Sequence, residues 1–158
     1  MFRLRAYGGL TLERDGAPYA GPATQRRRLA VLAMLAASDA GVSRDRLTDY
    51  LWPDVDPARA RHSLDEALSG LRRELRNDAL FVGVATLRLN PEVLASDLAE
   101  QAAAVAAGDA ERAAALYAGP FLDGFYVPGA GDFEHWVEAE RSRRRSEEHT
   151  SELQSPMY

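Results

Sequence analysis

The sequence contains no cysteine and no lysine. The first absence removes disulfides, thiol nucleophiles and cysteine metal sites, and fits a reducing compartment. The second leaves all 19 basic side chains as arginine, which we read as the mark of GC-rich coding DNA. Histidine is scarce as well. His62, His135 and His149 lie far apart, without metal-ligand spacing, so neither a metal nor a cofactor is expected. Long apolar runs are missing. Leu29 to Ala37 is too short to span a bilayer. Arg26-Arg27-Arg28 precedes it as in a signal peptide, but too far from Met1 and without a processing site. It reads as a buried helix, and no membrane partner is expected. Glu134, Glu138 and Glu140 are acids with no nucleophile or glycine-rich phosphate loop beside them, so no enzyme is expected.

What is present is ordinary globular composition over 158 residues, enough for one domain or two small ones. The net charge of −5 hides an asymmetry. Residues 1–93 hold 14 Arg against 12 acids, whereas residues 94–158 hold 5 Arg against 12 acids. The acidic second half disfavours nucleic acid. Any such binding by the first half must rest on a local patch.

Phe2 to Tyr7 and Leu10 to Arg14 alternate as half-buried strands, and Asp15-Gly16 signals a hairpin into Ala17-Pro18-Tyr19. Together they predict a small antiparallel sheet. Thr24 is placed to cap a helix reaching about Ala37, with Leu29, Leu32, Ala33, Leu35 and Ala36 inward. Ser43 is placed to cap a second helix, Arg44 to about Trp52.

The stretch from Leu51 to Arg76 is the most informative. Pro53 ends the preceding helix, Asp56 is placed as N-cap, and Pro57 sits at the first helical position, where its missing N–H costs nothing. At about 100° per residue, Ala60, Leu64, Ala67, Leu68, Leu71 and Leu75 share one stripe. Arg59, His62, Glu66, Ser69 and Arg73 lie opposite, flanked by Asp65 and Arg76. One side fits a core; the other offers a row of hydrogen-bonding groups, as a helix in a DNA groove requires. Asn77-Asp78 ends the helix. Leu80 to Val82 and Thr86 to Leu89 then read as two short strands, closed by Asn90-Pro91.

From Val93 the chain becomes alanine-rich. Helices are predicted over Asp97 to Ala107 and, capped by Asp109, over Ala110 to Ala118, forming a helical hairpin like the unit of tetratricopeptide solenoids. Phe121, Leu122, Phe125 and Tyr126 make an aromatic linker, and Asp132 is placed to cap a third helix, Phe133 to about Arg145. Glu140 falls on that helix's apolar stripe. Trp52 and Trp136 are expected as core anchors. Ser146 to Tyr158 is polar and aperiodic and resembles translated sequencing-adapter DNA, so 146–158 is expected to be a disordered, artefactual tail on a C-terminally truncated gene.

Gln25-Arg26-Arg27-Arg28-Leu29-Ala30-Val31-Leu32, Ser43-Arg44-Asp45-Arg46-Leu47, Leu51-Trp52-Pro53-Asp54 and Leu68-Ser69-Gly70-Leu71-Arg72-Arg73-Glu74-Leu75 resemble the winged helix of OmpR/PhoB-type regulators. Leu116 to Phe125 and Phe133 to Arg141 resemble the start of a bacterial transcriptional activator domain. The pairing, in this order over residues 1–145, is similar to SARP-type regulators. The resemblance implies an α+β winged helix over 1–92 (small antiparallel sheet, three helices, C-terminal hairpin). An all-α, tetratricopeptide-like partial activator domain over 93–145 would follow. Two departures stand out. The chain reaches only about one and a half helical repeats, and between Phe81 and Leu89 the wing has Arg88 as its one basic residue.

This resemblance implies that the chain is a cytoplasmic, nucleoid-associated, sequence-specific DNA-binding transcriptional regulator, expected as an activator, with a repressor as the alternative. It would bind double-stranded promoter DNA at direct repeats as a homodimer, recruit RNA polymerase, and place the 57–76 helix in the major groove. Arg59, His62, Ser63, Glu66 and Arg73 are expected to contact bases or backbone, since Arg pairs with guanine and Glu accepts from cytosine. Arg26, Arg44, Arg46 and Arg72 are expected at phosphates, setting register without reading sequence. The rival reading is a protein-interaction module with helical repeats whose winged helix does not bind DNA. The mild charge of the first half and the bare wing keep it open.

Overall fold

The computed structural model describes residues 1–153, with side chains described as far as Glu147. Residues 154–158, part of the expected tail, lie outside the described residues.

The chain opens with β1 (Phe2–Arg5), β2 (Thr11–Arg14) and β3 (Ala17–Pro18), followed by a 3₁₀ turn over Pro22–Thr24. Then come α1 (Arg26–Ala36), β4 (Val42–Ser43), α2 (Arg44–Leu51), α3 (Pro57–Leu75), β5 (Phe81–Val82) and β6 (Thr86–Leu89). The remainder is β7 (Ala95–Ser96), α4 (Asp97–Ala106), α5 (Ala110–Leu116) and α6 (Gly131–Leu153).

The two sheets are richer than the sequence predicts. The first has the order β3-β2-β1-β7. Its β1–β2 hairpin is antiparallel, with Leu4 opposite Leu12, but β7 adds to β1 in parallel, Leu4 opposite Ser96. The expected purely antiparallel sheet is therefore mixed. The second sheet has the order β4-β6-β5, so the expected hairpin gains a third strand. Strands of two residues leave no periodic trace, and their long-range partners leave none either.

Helix α1 sits at the centre. Leu29 to Leu35 are all buried, so this helix is apolar on every side, as a helix enclosed by neighbours should be. Thr24 does not cap it. Its hydroxyl donates to the Gly21 carbonyl within the 3₁₀ turn, and Gln25 takes the N-cap position without a side-chain bond. Ser43 does cap α2, its hydroxyl accepting the Arg46 N–H at 3.1 Å, a contact of about 1 kcal/mol.

The buried stripe of α3 is the predicted one: Ala60, Leu64, Ala67, Leu68, Leu71 and Leu75. Each leucine contributes roughly 1.5–3 kcal/mol by leaving water. Asp56 occupies the N-cap, yet its side chain makes no capping bond; its carbonyl accepts the Ala60 N–H instead. The C-terminus closes in a Schellman pattern built on Arg76 at φ 55°, with Asn77 N–H on the Arg72 carbonyl and Arg76 N–H on that of Arg73.

One buried cluster continues across residue 92, joining Leu4, Leu12, Leu32 and Leu68 to Leu94, Leu98, Phe121 and Phe133. Asp97, at the start of α4, is buried and accepts the N–H groups of Ala6 and Tyr7. Burial pushes its carboxyl above the usual range, and these backbone donors together with Arg3 draw it back only in part. On α6, Arg144 donates to the Tyr7 hydroxyl at 2.9 Å and ion-pairs with Glu140, which explains an acid on the apolar stripe. Arg141 donates to the carbonyls of Phe121 and Leu122, fastening the aromatic linker. Trp136 packs edge-on to Phe121, and Trp52 lies partly buried against the same cluster.

Helix α6 differs from expectation at both ends. It begins at Gly131, so Asp132 lies within its first turn instead of capping it. It also continues through Leu153, past Arg145, so residues 146–153 are helical where the expected tail was structureless. The Arg143–Glu147 pair carries the i,i+4 ladder across that point. Helix α5 is shorter than predicted, ending at Leu116, with Tyr117 turned out of helical geometry.

Candidate nucleic-acid interface

Helix α3 is held by its apolar stripe, which leaves its opposite face outward. Arg59, His62, Glu66, Ser69 and Arg73 are all exposed there, flanked by Asp65 and Arg76. Helix α2 and the β5–β6 hairpin flank it. The sequence placed Arg59, His62, Glu66 and Arg73 on one surface, and the structure does bring them together on one helix face. Ser63 sits at the edge of that face, half-buried, in a shallow depression with Asp54, Asp56, Arg59 and His62 at the start of the helix.

The charges on this face are sorted in an informative way. Asp65 lies 2.7 Å from the guanidinium of Arg44 on α2, and Glu66 lies 3.1 Å from His62 one turn away. Asp65 and Glu66 thus each have a local donor, while Asp54 and Asp56, exposed at the start of the helix, take none among the described residues. On the outer face, Arg59 and Arg73 take no ion-pair or hydrogen-bond partner among the described residues. Two cations of the outer face are therefore left to attract an anion, and Arg59 and Arg73 stand fourteen positions apart, almost four turns.

The four arginines expected at phosphates are differently placed. Arg26 donates to the Tyr126 carbonyl at 3.0 Å and stacks over the Tyr126 ring, 4.9 Å from its centroid. It is held by the aromatic linker at the start of α1. Arg44 is engaged with Asp65 and with the Val84 carbonyl. Arg46 lies over the Tyr50 ring at 5.7 Å but remains exposed on α2. Arg72 is half-buried over Phe81 at 5.3 Å, at the foot of the wing. Arg46 alone of these points outward without a hydrogen-bond partner among the described residues.

The wing turn is Gly83-Val84-Ala85. Gly83 has φ +103°, and a Cβ there would meet the Thr86 carbonyl oxygen at 2.1 Å, so only glycine fits. Val84 is 81% exposed and Val82 41%, giving an apolar tip. Arg88 is exposed on β6. Sequence reasoning missed Asp65 and Val84 as connected positions, because Arg44, Asp65 and Val84 share no local pattern.

Among the described residues, no group of three His, Asp or Glu side chains could hold a metal, and no helix is long and apolar enough to cross a membrane.

Neither a protein-family model nor a curated protein matches the chain. Among solved structures, it is similar to EmbR of Mycobacterium tuberculosis, determined in complex with a low-affinity phosphopeptide, at 26% identity and a TM-score of 0.69. The match covers 96% of this chain and 43% of that one, so this chain spans less than half the length of its neighbour. The likeness supports a fold shared with that protein, and the two small sheets and the helices are compatible with a winged helix followed by a helical part.

Proposed function

We propose that this chain is a sequence-specific, DNA-binding transcriptional regulator of the SARP type. EmbR is a SARP-type regulator with an OmpR-like domain, and a fold shared over nearly the whole chain supports the same class here. The observation that carries the reading is the outer face of α3. It is a long helix face, exposed between α2 and a hairpin, with Arg59 and Arg73 unpaired and Asp65 and Glu66 locally matched.

In this reading α3 enters the major groove. Arg59 and Arg73 supply fork-shaped donors suited to guanine edges or phosphate, while His62, Ser63 and Glu66 add hydrogen-bonding groups nearby. Arg46 and Arg61 stand at the border as phosphate ligands, and Arg88 is the wing's contribution. Residues 1–92 would be the DNA-binding unit and 93–145 the start of an activator domain. That domain would mediate a homodimer on promoter direct repeats and contact RNA polymerase, which places the protein in the cytoplasm, at the nucleoid.

The rival reading, an interaction module that does not bind DNA, has two observations behind it: Arg26 and Arg44 are occupied within the protein, and the wing tip is apolar. Selection of duplexes from a random-sequence library with the full chain separates the two. Recovery of a defined motif, bound with steep salt dependence, supports the regulator. Failure to bind any duplex at low salt supports the module.

A further inference from the structure

We infer that Arg44 is a positioning residue that clamps the wing to the recognition helix through Asp65, and that it is not a phosphate ligand. The inference rests on the DNA-binding reading above and assigns a task within it.

Arg44 stands where three elements meet. It starts α2, directly after β4. Its backbone N–H donates to the Ala85 carbonyl at 3.0 Å, its Nε to the Val84 carbonyl at 2.6 Å, and its Nη1 to Asp65 Oδ1 at 2.7 Å. One residue thus joins the tip of the wing to the middle of α3. Among the described residues, no other side chain hydrogen-bonds to residues 83–85. The ladder beyond the tip is short. β5 pairs with β6 at Phe81–Leu89 and Val82–Arg88, and β4 at Val42–Leu87 and Ser43–Thr86. Hairpins this short are marginal on their own. The planar guanidinium directs Nε and Nη1 at fixed angles, so two acceptors on different elements set the distance and tilt between them. A lysine ammonium cannot hold both in that relation.

The clamp gives Asp65 an effect opposite in sign to plain electrostatics. An acid on a DNA-facing helix repels phosphate, so its removal should tighten binding. If it anchors Arg44, its removal lets the wing drift and weakens binding. The salt response separates the roles of Arg44. An arginine that neutralises one phosphate contributes about 0.9 to the slope of log K against log salt. A clamp contributes nothing to that slope.

The test uses the full chain and the duplex recovered by random-library selection. Anisotropy titrations at several salt concentrations compare the native chain with Arg44→Ala, Arg44→Lys, Asp65→Ala and the Arg44→Ala/Asp65→Ala pair. Both alanine variants should bind about fivefold more weakly, as expected from the loss of one modest ion pair. The double variant should be no weaker than either single one, the salt slope should stay unchanged, and Arg44→Lys should not rescue. In the absence of DNA, hydrogen exchange over residues 82–88 should quicken in both alanine variants while the far-ultraviolet circular dichroism is retained. Tighter binding by Asp65→Ala overturns the clamp. So does a slope reduced by about one in Arg44→Ala, or unchanged exchange at the wing. A native chain that selects no duplex overturns the DNA-binding reading, and this inference with it.

Discussion

The carboxylate of Asp97 accepts the backbone N–H of Tyr7 at 3.0 Å and, with its other oxygen, that of Ala6 at 2.9 Å. This contact fastens α4 to the end of β1, next to the parallel β1–β7 pairing. The alanine-rich helices are therefore not a separate appendage: β7, which leads into them, completes the sheet that opens the chain. Asp97→Ala leaves two buried N–H groups without acceptors, at a cost of about 2–4 kcal/mol. Urea unfolding should show one transition at a clearly lower midpoint. An unchanged midpoint would mean that water replaces the carboxylate at no cost.

The same residue sets a pH dependence. An aspartate in the unfolded chain titrates near 3.8, and burial holds the folded Asp97 above that value. A raised folded value means that the protonated form favours the fold. The stability contributed by this group is thus fully present below about 3.8 and is lost as pH rises through the folded value. The difference in unfolding free energy between the native chain and Asp97→Asn should therefore shrink as pH rises across that window. A difference that grows with pH would contradict the assignment.

Gly83→Ala probes the wing. A Cβ would collide with the Thr86 carbonyl at a backbone angle that disfavours side chains. The strain should cost about 1–3 kcal/mol or displace the turn. Thermal unfolding and hydrogen exchange over residues 82–88 would register it. A variant with native stability and native exchange would show that the turn has an alternative geometry.

Ser43→Ala removes the cap of α2 beside the clamp. The orphaned Arg46 N–H should cost about 1 kcal/mol in chemical denaturation. A loss near zero would show that water takes over the hydroxyl's role.

Much of this architecture was legible locally. The stop at Pro53, the start at Pro57, the Ser43 cap and the α3 stripe follow from short-range rules, and the structure follows them. The cap by Asp109 does too, its side chain accepting the Arg112 N–H at 3.1 Å. What escaped depends on distant partners. β4 and β7 are two residues long and become strands only because β6 and β1 lie beside them. Thr24 and Asp56 have the right type for N-caps, but Thr24 bonds within the 3₁₀ turn and Asp56 contributes its carbonyl.

The candidate site divides in the same way. Helical periodicity alone aligned Arg59, His62, Glu66 and Arg73 on one face. Periodicity could not show that Asp65 faces Arg44 or that Arg26 rests on Tyr126, since these contacts join residues 21 and 100 positions apart.

The central claim is that the outer face of α3 reads DNA, and the most direct measurement is affinity for the selected duplex as a function of salt in the native chain, Arg59→Ala and Arg73→Ala. Each variant should keep its fold and bind roughly ten- to a hundredfold more weakly, as the loss of one base-reading arginine implies. If the lost contact is to phosphate, the salt slope should fall by about one and discrimination between sequences should be unchanged. If it is to a base, discrimination should relax at one position of the motif. Native affinity and native discrimination in both variants would contradict the account.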